Sequence, residues 1–168
     1  RILEELAAER VRYVLVGGLA AMEHGSSQLT DDFDLCYDRS RDNLERLSRV
    51  LLHLKATLRG DPKDLPFKPD VPTLHAGLNF TFSTVAGDLD ILGEMDGIGG
   101  YENANQGASD VDTYGVRVRV LSLDDLIRAK KAAGRPKDKA HLLELEELKR
   151  LKRKRPKRSS PTPFRTPP

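Results

Sequence analysis

The chain has 168 residues, 38% of them apolar, with a mean hydropathy of −0.50, which is enough for one well-formed core and short for two. No apolar run approaches the roughly 18 residues that span a bilayer, and the lone cysteine, Cys36, excludes an intrachain disulfide and points to a reducing, cytoplasmic setting. The net charge of +2 divides unevenly: residues 149–168 hold nine Lys/Arg and no acid, leaving −7 on residues 1–148, so the body of the chain lacks a nucleic-acid-binding footprint.

In chain order, "ILEELAAER" predicts a short helix with Ile2, Leu3 and Leu6 on one face, and "YVLVGG" a strand ended by glycine. "LAAMEHG" predicts a helix. "DFDLCYD" alternates Phe33, Leu35 and Tyr37 against Asp32, Asp34, Cys36 and Asp38, a strand with one apolar and one largely acidic face. Leu44, Leu47, Leu51, Leu54 and Leu58 follow at three- and four-residue steps, predicting a helix from an N-cap at Ser40 to a stop at Gly60. The four prolines of "DPKDLPFKPDVPT" predict a loop.

"AGLNFTFSTVAGDLDILGEM" predicts two strands turning near Ala86–Gly87, and the Gly- and Asn-rich "DGIGGYENANQGASD" a loop or a poorly formed segment. "YGVRVRVLS" predicts a strand. Ser122 and Asp125 then open a capped helix that Gly134 ends, and a last helix starts near Pro136. This order describes an α/β domain (α+β in its mixed sheet) over residues 1–148, flanked by helices. Residues 149–168 form a basic, Pro-rich tail expected to be disordered from about Arg155.

The chemistry concentrates in "VLVGGLAAMEHGSSQLTDDFDLCYD". Residues i and i+2 of a strand point the same way, so Asp32 and Asp34 project together, about 6–7 Å apart at their bases. Two carboxylates so placed repel unless a cation lies between them, and a pair of Mg²⁺ ions relieves that repulsion while orienting a phosphate. "VAGDLDIL" offers a second acid pair, Asp88 and Asp90, in an otherwise buried run. Upstream, a strand ends in Gly17–Gly18 where a helix begins, an arrangement that lets a phosphate approach the backbone and the helix N–H groups.

"VGG", thirteen residues, then "DFDL" resembles the signature of the polymerase-beta-type nucleotidyltransferase superfamily. With "GDLDIL" and "LSLDDLIRAKKAAGRPKDKAHLLELEEL" in order, residues 10–148 are similar to small bacterial nucleotidyltransferase-like proteins. These are related to the abortive-infection type IV toxin group and the minimal nucleotidyltransferases. The resemblance implies a nucleotidyltransferase fold with a mixed, twisted sheet. It implies Asp32, Asp34 and Asp90 as metal-binding and catalytic carboxylates. Gly17, Gly18, Lys130 and Lys137 are implied at the nucleotide, where Ser26 is a further candidate contact, and Arg135 and Asp138 complete the "R-x-K-D" stretch. The implied reaction moves a nucleoside monophosphate from an NTP to an acceptor hydroxyl on RNA, a protein or a small molecule, with Mg²⁺ or Mn²⁺ as cofactor. Gln28 stands where relatives often carry a basic residue. The alternative is a fold-retaining toxin–antitoxin or regulatory component with little activity.

Overall fold

The computed structural model describes residues 1–30, 32–60 and 67–154. The chain runs α1 (Ile2–Ala8), β1 (Tyr13–Leu15), α2 (Gly17–Glu23), β2 (Phe33–Tyr37), α3 (Arg41–His53), β3 (Thr57–Leu58), α4 (Val71–Ala76), β4 (Asn79–Thr84), β5 (Gly87–Leu92), α5 (Tyr101–Gly107), β6 (Ser109–Thr113), β7 (Val116–Val120), α6 (Leu123–Ala133), a 3₁₀ turn (Pro136–Asp138) and α7 (Lys139–Lys154). The strands make one mixed sheet in the order β3-β4-β5-β2-β1-β7-β6. Pairs β2/β5 and β1/β7 are parallel, and the others antiparallel.

The core lies against both faces of the central strands. β1 is buried throughout, and in β2 Leu35, Cys36 and Tyr37 are all fully buried. The acidic face expected for β2 is therefore acidic only at its start: Cys36 continues that face into packed interior, as central strands covered on both sides require. On α3, Leu44, Leu47, Val50 and Leu51 are fully buried, each leucine contributing about 2 kcal/mol. α3 packs against α1 and α4, while α2 packs against α6 and α6 against α7. The buried Asn43 fastens the end of β2 to α3, accepting from Arg12 N at 2.7 Å and donating to the carbonyls of Arg12 and Asp38. Arg12 adds a fork onto Asp38 and Asp42.

Several expected boundaries move. α3 ends at His53, short of Gly60, because Lys55 turns left-handed at φ +51. Lys55 N then bonds Leu52 O and Ala56 N bonds Leu51 O, the paired closure usually built on glycine. α1 closes the same way on Arg10, φ +54. The freed residues 57–58 become the edge strand β3, so Leu58 belongs to the sheet. The Pro-rich loop contains α4, capped by Asp70, which accepts from Thr73 N at 2.9 Å; residues 61–66 lie outside the described residues. The Gly/Asn-rich segment contains α5, and β6 precedes β7 as its hairpin partner. α7 continues through the expected boundary at 149 to Lys154, and residues 155–168 lie outside the described residues. Among the described residues no helix is long and apolar enough to cross a membrane.

Candidate active site

The parallel pairing of β2 with β5 sets Asp34 directly beside Asp90. Both side chains sit on the same face because neighbouring residues of paired strands share one. Asp32 lies just before β2 and is exposed. Its charge nonetheless reaches both partners: burial first, then the charges of Asp90 and Asp32, push the Asp34 carboxyl up to about 6. Asp90 is also raised, mainly by burial. Asp34 has no ion-pair partner among the described residues, so the site is a desolvated cluster of negative charge.

The glycines serve this cluster directly. Gly17 opens α2 at φ +62, and a Cβ there would come within 1.9 Å of Asp34 Oδ2. A Cβ on Gly18 would strike Thr30. The Gly18 N–H favours the charged form of Asp34. The helix-start N–H that was expected to meet a phosphate therefore already faces a carboxylate.

Opposite the acids stand two cations held by one buried anion. Asp138 accepts from Lys130 Nζ at 2.9 Å and from Arg135 Nε at 2.6 Å. Burial would raise Asp138, but these two donors and their charges hold it below the usual carboxylate range. Gly17, Asp34, Asp90, Lys130 and Arg135 line one cleft of about 280 Å³, whose outer part carries Glu94, Met95 and Asp96. That volume is at the small end for a ligand site.

Of the expected site residues, the cleft thus gathers Gly17, Asp34, Asp90 and Lys130. Asp32 acts on it by charge, and Gly18 through its backbone. Ser26 is engaged elsewhere: its hydroxyl donates to Glu144 Oε2 at 2.9 Å and lies 3.0 Å from His141 Nε2, while Ser27 N donates to Glu144 Oε1 at 2.6 Å. These bonds tie the loop after α2 to α7 and leave Ser26 outside the cleft lining, so its expected phosphate contact gives way to an anchoring one. The side chain of Lys137 lies outside the described residues.

Three carboxylates without thiolate or imidazole suit a hard divalent cation such as Mg²⁺. Among the described residues, however, no three Asp, Glu, His or Cys side chains converge tightly enough to hold an ion. Asp90 is engaged at the sheet edge: its Oδ1 accepts from Arg59 Nη2 at 2.5 Å while Arg59 Nη1 donates to Asp88 at 2.7 Å. Sequence reasoning passed over Arg59 because it lay within the expected α3.

The backbone as a whole matches solved structures closely enough to settle its architecture. A Thermotoga maritima protein provisionally named a nucleotidyltransferase is 18% identical, with a TM-score of 0.53 over 92% of this chain and 89% of that one. The antibiotic-resistance factor ANT(2'')-Ia matches in solution, 17% identical with a TM-score of 0.53 over 90% of this chain and 87% of that one. Its crystal structure with adenylyl-2''-tobramycin also matches, at 17% identity and a TM-score of 0.53 over 88% and 82%. The chain has the nucleotidyltransferase fold. No protein-family model and no curated protein matches its sequence. Within the nucleotidyltransferase fold seen here, the residues that sequence alone left aside are Arg59, Asp88 in its pairing role, and the Glu94–Asp96 rim. Arg59 was findable only through strand register, since Arg59 N bonds Thr81 O and Thr81 is the partner of Asp90.

Proposed function

We propose that the chain is a metal-dependent nucleotidyltransferase, moving a nucleoside monophosphate from an NTP to an acceptor hydroxyl and releasing pyrophosphate. One observation carries this reading: Asp34 and Asp90 sit in register across a cleft from Lys130 and Arg135. Asp32, Asp34 and Asp90 are the residues that would hold Mg²⁺ or Mn²⁺. When bound, such ions supply neutralisation of the polyphosphate and orientation for in-line displacement. Lys130 Nζ and Arg135 would grip phosphate oxygens through charge-assisted hydrogen bonds, with Asp138 fixing both before substrate arrives. Asp90 would accept the proton of the acceptor hydroxyl at its carboxylate.

The acceptor we favour is a small amine-bearing hydroxyl compound. Glu94 and Asp96 have no ion-pair partner among the described residues and give the outer cleft negative charge that repels RNA phosphates. The structural neighbour bound to adenylyl-2''-tobramycin is in keeping with such a product. Incubation with each radiolabelled NTP and Mg²⁺, offering tobramycin, total RNA or lysate protein in separate reactions, tests the reading. Label should pass to the small molecule with the wild-type chain and not with Asp34→Asn. Equal labelling by the two proteins would overturn it.

A further inference from the structure

Arg59 is the one cation ion-paired to any of Asp32, Asp34, Asp88 and Asp90 among the described residues. It stands just past the edge strand β3, and its N–H donates to Thr81 O at 2.9 Å, which aligns it with β4. Thr81 pairs with Asp90, so the side chain crosses a whole strand to reach β5. There the guanidinium forks, Nη1 to Asp88 and Nη2 to Asp90. Asp88 also accepts from Ser83 Oγ at 3.1 Å, which fixes the far arm of the fork. Both donors belong to one rigid planar group, so a single side chain reaching in from the sheet edge holds Asp88 and Asp90 together.

We infer that Arg59 is a positioning residue that holds Asp90 as a built-in counter-ion, and that a divalent cation must displace this guanidinium to recruit Asp90. The inference rests on the metal-binding reading given above. It accounts for one fact: among the described residues no three carboxylates converge on a common point, although Asp34 and Asp90 are paired in register. An arginine suits this task better than a lysine because its planar fork spans two carboxylates at once. The arrangement keeps the third carboxylate neutralised until a cation arrives. Arg59 does not itself line the cleft and meets it through Asp90, so it acts through that carboxylate.

The test is Mn²⁺ titration of the whole chain by calorimetry, without nucleotide, on wild type, Arg59→Gln and Arg59→Lys, each checked for folding by circular dichroism. Arg59→Gln should tighten Mn²⁺ binding about fivefold or more, as loss of a competing charge-assisted bond demands, with Arg59→Lys between the two. In ¹⁵N-labelled wild type, the Arg59 Nε–H resonance (assigned by its absence from Arg59→Gln) should shift on saturation with Mg²⁺. Unchanged or weaker binding by Arg59→Gln would overturn the inference. So would tighter binding with an unmoved Arg59 resonance, which marks a charge acting only at a distance. If none of the three proteins binds Mn²⁺, the metal-dependent function falls along with it. Binding by wild type with no gain in Arg59→Gln removes this inference alone.

Discussion

Asp34→Asn should stabilise the metal-free chain while removing its activity. In the folded chain the Asp34 carboxyl is raised from 3.8 to about 6, chiefly by burial and then by Asp90 and Asp32. A rise of that size corresponds to about 3 kcal/mol, at about 1.4 kcal/mol per tenfold change in proton affinity. The folded chain binds the proton more tightly than the unfolded one, so between pH 4 and 6 unfolding releases it. The contribution of Asp34 is thus intact below pH 4, declines as pH rises, and is fully lost above pH 6. Asparagine carries no charge and escapes that loss. The difference in unfolding free energy between Asp34→Asn and wild type should grow from near zero at pH 4 toward about 3 kcal/mol at pH 7–8, an upper bound because the Gly18 N–H loses a charged acceptor. For a domain of this size that is on the order of 6–12 °C in melting temperature. Urea denaturation of both proteins from pH 4 to 8 in EDTA measures it. Comparing the two cancels groups that titrate in both, such as Asp38 and Glu144, which are held low and weaken the fold on acidification. A mutant no more stable than wild type at pH 8, or a gap that does not depend on pH, would refute the electrostatic account of the site.

Asp138→Asn should release Lys130 and Arg135 together. Leaving Lys130 nearly buried and unpaired costs about 3 kcal/mol of stability by thermal unfolding, and Mg²⁺–NTP affinity by calorimetry should fall about tenfold, roughly one charge-assisted bond. Glu144→Ala should free Ser27 from α7 and leave Ser26 only its contact with His141, lowering the melting temperature, with faster hydrogen exchange at the Ser27 amide as its signature. Gly17→Ala should drive a methyl group into Asp34 Oδ2 at a left-handed backbone position, losing about 2 kcal/mol or more and nearly all transfer activity. Normal transfer by that variant would show that Asp34 need not approach the helix start.

Much of the fold was legible because periodicity and caps agreed. Ser122 caps α6 by accepting from Asp125 N, and Gly134 ends it left-handed, as the sequence pattern implies. β2 and β5 were read correctly from alternation. The two misplaced helix ends share a cause: α1 and α3 terminate on left-handed Arg10 and Lys55, residues that carry no stop signal. A helix running to Gly60 then hid β3, and with it Arg59. α5 was missed because its Gly and Asn content reads as a loop, while its stability comes from the buried Ala104 and from Asn105, which accepts from Arg119 Nε at 2.9 Å. Of the expected site residues, Asp34, Asp90 and Lys130 line one cleft, whereas Ser26 is held by Glu144, a partner 118 residues distant that no local pattern announces.

The parallel seam between β2 and β5 has a consequence for how the chain acquires function. Parallel neighbours cannot be joined by a tight turn, so α3, β3, α4 and β4 must all intervene before Asp90 arrives beside Asp34. The carboxylate pair is therefore made by closing a long loop, a late and slow kind of event in folding. A chain arrested before β5 would carry Asp32 and Asp34 without Asp90 beside them. Cation binding at this seam would then serve as a clock for the end of folding, appearing together with the last cooperative step.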